Sequence, residues 1–219
     1  MPRTVAFEKF SQAYEAWFEK HSMLYNAEIE AIKKLLPPFK NGIEIGVGSG
    51  RFAVPLGIRT GVEPSSKMAK IARSKGINVI EGIAEDLPVA NETFDFALMV
   101  TTICFVDDPL LSLQNIYRIL KPDSYVIIGF VDRGSVLGQH YEKNRLNSRF
   151  YGEARFYDVN EVIGLLKKAG FSEIVCTQTL FGKDLEHMDT AVKNGYGEGA
   201  FVALRARKDD HGRGETKIS

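Results

Sequence analysis

The sequence contains few cysteines, no long apolar run and no excess of charge of either sign. Its two cysteines, Cys104 and Cys176, stand far apart within apolar stretches, so we expect buried free thiols and no metal site. No stretch approaches the roughly 20 apolar residues of a membrane helix. The first ten residues include Arg3, Glu8 and Lys9 and do not resemble a signal peptide, so we expect a cytoplasmic protein that enters no membrane.

The charge balance argues against nucleic acid as a partner. The 28 basic side chains are matched by 28 acidic ones, which gives a formal net charge of zero. Proteins that bind a duplex normally carry a basic excess, because they neutralise several phosphates. The hydrophobic content of 44% is ordinary for a globular protein, and 219 residues suit one domain with a helical appendage.

Strand-like and helix-like segments alternate along the first two thirds of the chain. The predicted strands are 42–47, 60–63, 78–81, 94–100, 125–131, 174–180 and 200–206. The predicted helices are 6–36, 50–56, 65–75, 108–120 and 159–169. Alternation indicates a parallel sheet covered on both faces, and the two strands at the end, with no helix between them, indicate an antiparallel last strand. We therefore predict an α/β, doubly wound, mostly parallel seven-stranded sheet with N-terminal helices.

The same segments predict one domain over residues 1–206. Residues 1–40 form a helical cover, and residues 134–157 form a polar, partly helical insert after the fifth strand. Residues 207–219 are charged and contain glycine, so we expect a disordered tail.

A glycine-rich loop follows the first predicted strand. Gly46, Gly48 and Gly50 stand where a strand turns into the following segment, and glycine there lets the backbone approach a ligand. A dinucleotide loop requires G-x-G-x-x-G, but the third glycine position of that motif holds Arg51. The spacing therefore disfavours a nicotinamide or flavin ligand.

Glu44 lies on the same strand, two residues before the loop, and shares a face with Gly46. A buried acid is costly unless a polar or cationic group meets it, and it would repel a diphosphate. S-adenosylmethionine carries an ammonium and a sulfonium, so Glu44 suits that ligand. The alternative is an acid satisfied by a backbone or lysine partner.

Glu63 ends the second predicted strand, directly before Pro64 and Ser65. Its two carboxylate oxygens are able to accept bonds from both hydroxyls of a ribose. The alternative is a capping acid for the next helix. We favour the ribose, because Ser65 is itself a good cap.

In this order the motifs resemble those of the class I S-adenosylmethionine-dependent methyltransferases, a Rossmann-like family, and especially its small-molecule branch with the quinone and sterol methylases. The stretches that carry the resemblance cover residues 42–206 and include EIGVGSG, GVEPS, EGIAEDLPVANETFDFALM, FVDDPLLSLQNIYRILKPDSYVIIGF and EVIGLLKKAGF. The resemblance implies a transferase that uses S-adenosylmethionine and methylates a small-molecule acceptor. It also implies that the insert and the N-terminal helices build the acceptor pocket.

The resemblance also implies a set of cofactor-binding positions. The glycine loop would hold the methionine part, Glu63 the ribose, and Ala84 with Glu85 the adenine, while Thr101 and Thr102 would border the methyl group. The implied cofactor residues are Glu44, Gly46, Val47, Gly48, Gly50, Glu63, Pro64, Ala84, Glu85 and Thr101. The sequence departs from the family at Ile83, where an acid is usual, so the adenine amino group would meet Glu85 or water.

The acceptor side carries no fixed signature, because an in-line displacement on a sulfonium needs positioning more than a nucleophile. His21, His140 and Tyr141 are weak candidates for a base, and packing is the alternative role for each. The helical aromatics Tyr14, Trp17 and Phe18 would cover the cofactor or simply pack. The acceptor atom stays open among O, N, C and S, although no Asn/Asp-Pro-Pro-aromatic run supports methylation of a base amino group.

Three other functions compete with the methyltransferase interpretation of the sequence. A non-catalytic, regulatory S-adenosylmethionine-binding domain would keep the glycine loop but fill the acceptor pocket. A nicotinamide or flavin oxidoreductase is disfavoured by Arg51. A synthase that uses decarboxylated cofactor would need acids after the fourth strand, where this chain has Thr101 and Thr102.

Overall fold

The computed structural model describes residues 3–183 and 185–209, and within these ranges the chain forms six α-helices and one eight-stranded sheet. The helices are α1 (Val5–Lys20), α2 (Ser22–Lys33), α3 (Ser66–Ser74), α4 (Pro109–Ile119), α5 (Val136–Lys143) and α6 (Val159–Lys168). The strands are β1 (Gly42–Ile45), β2 (Thr60–Val62), β3 (Asn78–Ile80), β4 (Phe94–Val100), β5 (Leu120–Val131), β6 (Phe171–Thr179), β7 (Lys193–Asn194) and β8 (Phe201–Lys208).

The sheet has the order β3-β2-β1-β4-β5-β8-β6-β7. Neighbours from β3 to β5 are parallel, and β8 lies antiparallel between β5 and β6. This confirms the predicted doubly wound, mostly parallel sheet with an antiparallel last strand. The one addition is β7, a two-residue edge strand that pairs antiparallel with β6.

Local capping explains where several helices begin. The Ser65 hydroxyl accepts a bond from the Met68 N–H (3.3 Å), so it caps α3 as predicted. Asp108 accepts from the Leu111 N–H (3.0 Å), and Pro109 occupies the first helical position of α4. These caps lie just beyond the carboxyl ends of strands, and they direct each helix back across the sheet.

Alternate residues of β4 supply the two halves of the core. Phe96, Leu98 and Val100 pack on the face covered by α2 and α3. Ala97 and Met99 pack on the opposite face, with α4 and α6. Apolar side chains therefore point to both faces of β4, as expected for a sheet that is buried between two layers of helices.

Several predicted limits differ from the structure, among them the start of β5 at Leu120 instead of 125, and three differences change an element's type or extent. Residues 50–56 form turns rather than a helix, because Pro55 lacks an N–H and Gly57 turns the chain with a φ of +75°. The long N-terminal helix divides at His21 (φ −112°, ψ 41°). Arg207 and Lys208 belong to β8 and not to a disordered tail, while residues 210–219 of that predicted tail lie outside the described residues.

Candidate functional site

A cavity of about 190 Å³ opens at the carboxyl ends of the central strands. The loops after β1, β2, β3, β4 and β5 form its floor, α1 and α2 form its roof, and the segment 134–157 closes one side. In a doubly wound sheet this edge is where ligands bind, because the loops there diverge at the point where the strand order reverses. Here that point lies between β1 and β4.

The glycine loop needs glycine for two separate reasons. At Gly46 a Cβ atom would lie 2.4 Å from the Thr102 side chain, so only glycine fits against it. At Gly48 there is room, but φ is +55°, a conformation that disfavours branched side chains. Both residues line the cavity, whereas Val47 and Gly50 are buried behind the loop and do not.

Glu63 joins the loop to the start of α3. One carboxylate oxygen accepts a bond from the Gly48 N–H (2.8 Å), and the other accepts from the Ser65 N–H (2.8 Å). Glu63 lines the cavity, and burial raises the pKa of its carboxyl to about 7. Each carboxylate oxygen has a second lone pair, so the side chain keeps acceptor capacity toward the cavity.

Glu44 lies beneath the loop and not on the cavity wall. Its side chain is 1% exposed, and the Ala53 N–H donates a hydrogen bond to it. Its Oε2 atom is buried and has no hydrogen-bond partner within the described ranges. Burial and the nearby Glu63 hold the pKa of Glu44 well above its usual value. This placement favours the backbone-satisfied alternative for Glu44 over direct contact with a ligand.

The other cofactor positions predicted from the sequence lie on the cavity wall. Pro64, Ala84 and Thr101 all line it, and Thr101 adopts a φ of +49° as the chain turns out of β4. Glu85 also lines the cavity, but its Oε1 atom accepts bonds from the Asp107 N–H (2.7 Å) and the Asp108 N–H (3.3 Å). Its carboxylate is therefore already engaged at the start of α4.

Helix α1 is held over the glycine loop by polar contacts. Glu15 forms ion pairs with Arg51 (2.8 Å) and Lys75 (2.8 Å), and it accepts a hydrogen bond from Ser49. Near the start of the helix, Glu8 accepts a bond from the Ser65 hydroxyl (2.7 Å). Arg51, which takes the place of a dinucleotide glycine, thus serves to anchor α1.

Known proteins are similar to this chain in sequence and in architecture. A family model described as a methyltransferase domain matches residues 43–128. An uncharacterised protein of Methanocaldococcus jannaschii is 45% identical over 92% of this chain and 98% of its own length. A crystal structure from Thermotoga maritima, described as a SAM-dependent methyltransferase and possible histamine N-methyltransferase, is 54% identical with a TM-score of 0.90, covering 94% of this chain and 100% of that one. This chain is a class I S-adenosylmethionine-dependent methyltransferase.

The family uses S-adenosylmethionine, as the sequence predicted. A quinol methyltransferase is among the proteins that are similar to this chain. The 2-methyl-6-phytyl-1,4-hydroquinone methyltransferase 1 of Oryza sativa is 30% identical over 62% of this chain and 43% of its own length. Across the described part of the methyltransferase, no helix combines the length and apolarity needed to cross a bilayer. Its described His, Cys, Asp and Glu side chains form no group of three or more that is suited to a metal ion.

Of the sequence-predicted base candidates in the methyltransferase, only Tyr141 reaches the cavity. His140 is exposed on the outside of α5 beside Asn144, and His21 packs on Trp17 with ring centres 5.0 Å apart. Burial raises the pKa of Tyr141 to about 12. A phenol with that pKa stays protonated at neutral pH, so Tyr141 is poorly suited to act as a base.

The N-terminal aromatic residues pack on the core, and they also line the cavity that they were expected to cover if they hold the cofactor. Tyr14, Trp17 and Phe18 line the cavity of the methyltransferase, and they also pack against its core. Phe7 and Phe150 extend this aromatic wall, with ring centres 5.8 Å apart. The wall therefore joins α1 to the segment 134–157.

Glu28 is a buried acid of the cavity wall that was not predicted from the sequence. It lies on α2 and is 6% exposed, and burial raises its pKa to about 8. The signal was present, because Leu24, Glu28 and Ile32 follow one another at intervals of four on a single helical face. An acid inside such an apolar stripe marks either a buried ion pair or a ligand site.

Proposed function

We propose that the enzyme transfers a methyl group from S-adenosylmethionine to a small-molecule acceptor by in-line displacement. One observation carries the proposal: a single cavity runs from the glycine loop and Glu63 to an aromatic wall that α1 and residues 134–157 close. A cavity roofed by helices admits a compact molecule more readily than a polymer. Its extension beyond Thr101 also supports a catalytic protein over a regulatory one, which would fill that space.

The chain's own residues fit the cofactor at the β1–β3 side of the cavity. Gly46 and Gly48 leave room for the methionine part, and Glu63 has acceptor lone pairs for the ribose hydroxyls. Ala84 offers its backbone beside the adenine. Val47, Gly50 and Glu44 would act indirectly, by shaping the loop from behind. For Glu85 the proposal is a structural role at the start of α4, which leaves water to meet the adenine amino group.

When bound, S-adenosylmethionine supplies an activated methyl group: the acceptor's lone pair forms the new bond to carbon while the carbon–sulfur bond breaks and its electron pair stays on sulfur. The protein's part is to orient and to exclude water. Thr101 and Thr102 border the region between the two halves of the cavity, and the aromatic wall keeps it dry. Such positioning is worth about 7–11 kcal/mol in related intramolecular reactions.

Ligand-dependent thermal unfolding tests the cofactor assignment. We expect S-adenosylmethionine and S-adenosylhomocysteine to stabilise the protein, and NAD and FAD to have no effect. Stabilisation by NAD as large as that by S-adenosylhomocysteine would contradict the proposal. Production of S-adenosylhomocysteine in the presence of candidate acceptors then separates an enzyme from a regulatory domain.

Two glycine variants localise the ligand. Gly48 and Gly57 both have positive φ, but only Gly48 lines the cavity, and a Cβ atom at Gly57 would meet no other described atom within 4 Å. Gly48→Val and Gly57→Val should therefore lose similar fold stability, on the order of 1–2 kcal/mol. Only Gly48→Val should abolish calorimetric binding of S-adenosylhomocysteine. Unchanged affinity in that variant would show that the loop does not hold the ligand.

A further inference from the structure

Glu28 lies on the side of the cavity away from the glycine loop. Helix α2 packs against β5, β6 and β8, which the sheet order places on one side of β4, while β1 and the glycine loop lie on the other. Leu24, one turn earlier on α2, lines the same part of the cavity, together with Leu180 beyond the end of β6. The carboxyl group of Glu28 therefore belongs to the half that the cofactor leaves free.

Among the described residues, Glu28 differs from the other charged residues of the cavity wall in having no protein partner. Glu63 and Glu85 accept backbone N–H bonds, and Arg3 lies 3.4 Å from Asp107 and donates to the Glu153 carbonyl (2.7 Å). Over residues 3–183 and 185–209, Glu28 forms no hydrogen bond or ion pair, and burial alone accounts for its raised pKa. A carboxyl group this deeply buried is costly unless a ligand satisfies it.

The surroundings of Glu28 are aromatic. Tyr141 and Tyr151 stack with ring centres 5.3 Å apart, and both line the cavity, as do Tyr14 and Phe150. Glu28 and these tyrosines line the same cavity. Burial is the main cause of the raised pKa of Tyr14, Tyr141 and Tyr151, and the charge of Glu28 adds to each shift. Aromatic faces attract cations and flat apolar groups alike. A single acid inside such a wall matches a ligand with a cationic end and an apolar body.

From this arrangement we propose that the methyl acceptor carries a basic nitrogen on an aromatic or apolar body, and that Glu28 binds this nitrogen as its ammonium. The inference rests on the proposed function, since it assigns the acceptor half of the same cavity. Without a cation, burial keeps the Glu28 carboxyl largely protonated at neutral pH, because its pKa is about 8. An ammonium group would favour the ionised form, and the pair would replace the missing partner.

Paired probes test the assignment by calorimetry, with and without saturating S-adenosylhomocysteine. The probes are phenethylamine and tyramine, each compared with the alcohol of the same shape, 2-phenylethanol and tyrosol. We expect the wild-type protein to bind each amine at least 10-fold more tightly than its alcohol. The Glu28→Gln variant should lose that preference and bind the alcohols as before.

The matched control is Glu30→Gln, which removes an acid two residues away on the exposed side of α2, where Glu30 pairs with Lys33 (2.9 Å). It should leave the amine preference unchanged. Because Glu28 has no protein partner to lose, Glu28→Gln should fold, and circular dichroism checks this before titration. The more drastic Glu28→Leu serves as a second variant with the same expected loss of amine preference.

The outcomes separate this inference from the proposed function. If the wild-type protein binds amines and alcohols equally, the acceptor inference is wrong, even where S-adenosylhomocysteine binds well. If Glu28→Gln weakens S-adenosylhomocysteine and leaves the amine preference intact, Glu28 belongs to the cofactor and the inference is again wrong. If S-adenosylhomocysteine fails to bind the wild-type protein at all, the proposed function fails, while the titrations without it still decide the role of Glu28.

Discussion

At the scale of single residues, Glu63 joins the glycine loop to α3, and it is the residue that we propose holds the ribose. Its two bonds to the N–H groups of Gly48 and Ser65 fix the loop, and its remaining lone pairs face the cavity. We expect Glu63→Ala to weaken binding of S-adenosylhomocysteine by about 2–4 kcal/mol, which is roughly 30- to 1,000-fold. Two backbone donors also lose their acceptor, so unfolding in urea should show a loss of about 1–3 kcal/mol.

A second comparison isolates the ribose contact from the loop. Wild-type protein should prefer adenosine to 2′,3′-dideoxyadenosine, and Glu63→Ala should bind the two nucleosides alike. Glu81→Ala is the control, because Glu81 follows the neighbouring strand β3 and pairs with Arg73 (3.1 Å) away from the cavity. A variant at Glu63 that still distinguishes the two nucleosides would refute the ribose assignment.

Glu28 makes the stability of the unliganded protein depend on pH. A raised carboxyl pKa means that the folded state holds a proton which the unfolded state releases, so stability falls as pH rises from about 4.5 to about 8. Replacing Glu28 by Gln removes this loss. In urea unfolding, the stability advantage of Glu28→Gln should be near zero at pH 4.5, grow by at most about 1.4 kcal/mol per pH unit, and level off above pH 8. An advantage that is the same at pH 4.5 and pH 8 would contradict the placement.

At the scale of elements, acidic side chains of α1 hold this helix over the glycine loop. Glu15 reaches Ser49, Arg51 and Lys75, so Glu15→Ala should loosen the helix over the glycine loop. We expect S-adenosylhomocysteine to dissociate about 3- to 10-fold faster, equivalent to about 0.7–1.4 kcal/mol, as measured by stopped flow. Glu19→Ala is the control, because Glu19 is exposed and lies 3.5 Å from Arg51. Equal rates in the two variants would contradict the tethering role of Glu15.

The elements predicted best are those whose limits are set by residues within or next to the element itself. Strand β4 was predicted with its observed limits, because six of its seven positions are apolar and buried. The starts of α3 and α4 followed from Ser65 and Asp108, whose caps act within three residues. The break at His21 and the two-residue strand β7 depend on packing against distant segments, and nothing in their own residues indicates them.

In the site, too, the residues placed by local motifs were predicted better than those placed by tertiary packing. The glycine loop, Pro64, Ala84 and Thr101 were placed by motif order, and all except the rear of the loop reach the cavity. Glu44 was expected to face the ligand, but the irregular turn after Gly50 brings the Ala53 N–H to it instead. The position of Glu28 depends on where α2 lies on the sheet, which is a tertiary property that its helical periodicity alone does not specify.

At the scale of the whole molecule, β8 joins β6 and β7 to the rest of the sheet. Lys208 is buried and donates to the carbonyls of Tyr117 (3.0 Å) and Leu120 (2.7 Å), while Arg207 pairs with Asp123 and Glu173. A chain that ends at residue 206 should therefore be less stable than one that ends at residue 209, by about 2–4 kcal/mol in urea unfolding. Equal stabilities would show that the domain ends at 206, as the sequence had predicted.

The aromatic roof has a spectroscopic consequence. Trp17 is the only tryptophan in the sequence, and it lines the cavity with its ring centre 5.1 Å from that of Phe18. Its fluorescence therefore comes from one known position, with no second indole to dilute the signal. A ligand that displaces water from the cavity should shift the emission of Trp17 to shorter wavelength. The enzyme thus carries its own optical probe, and occupancy can be followed in real time without a label.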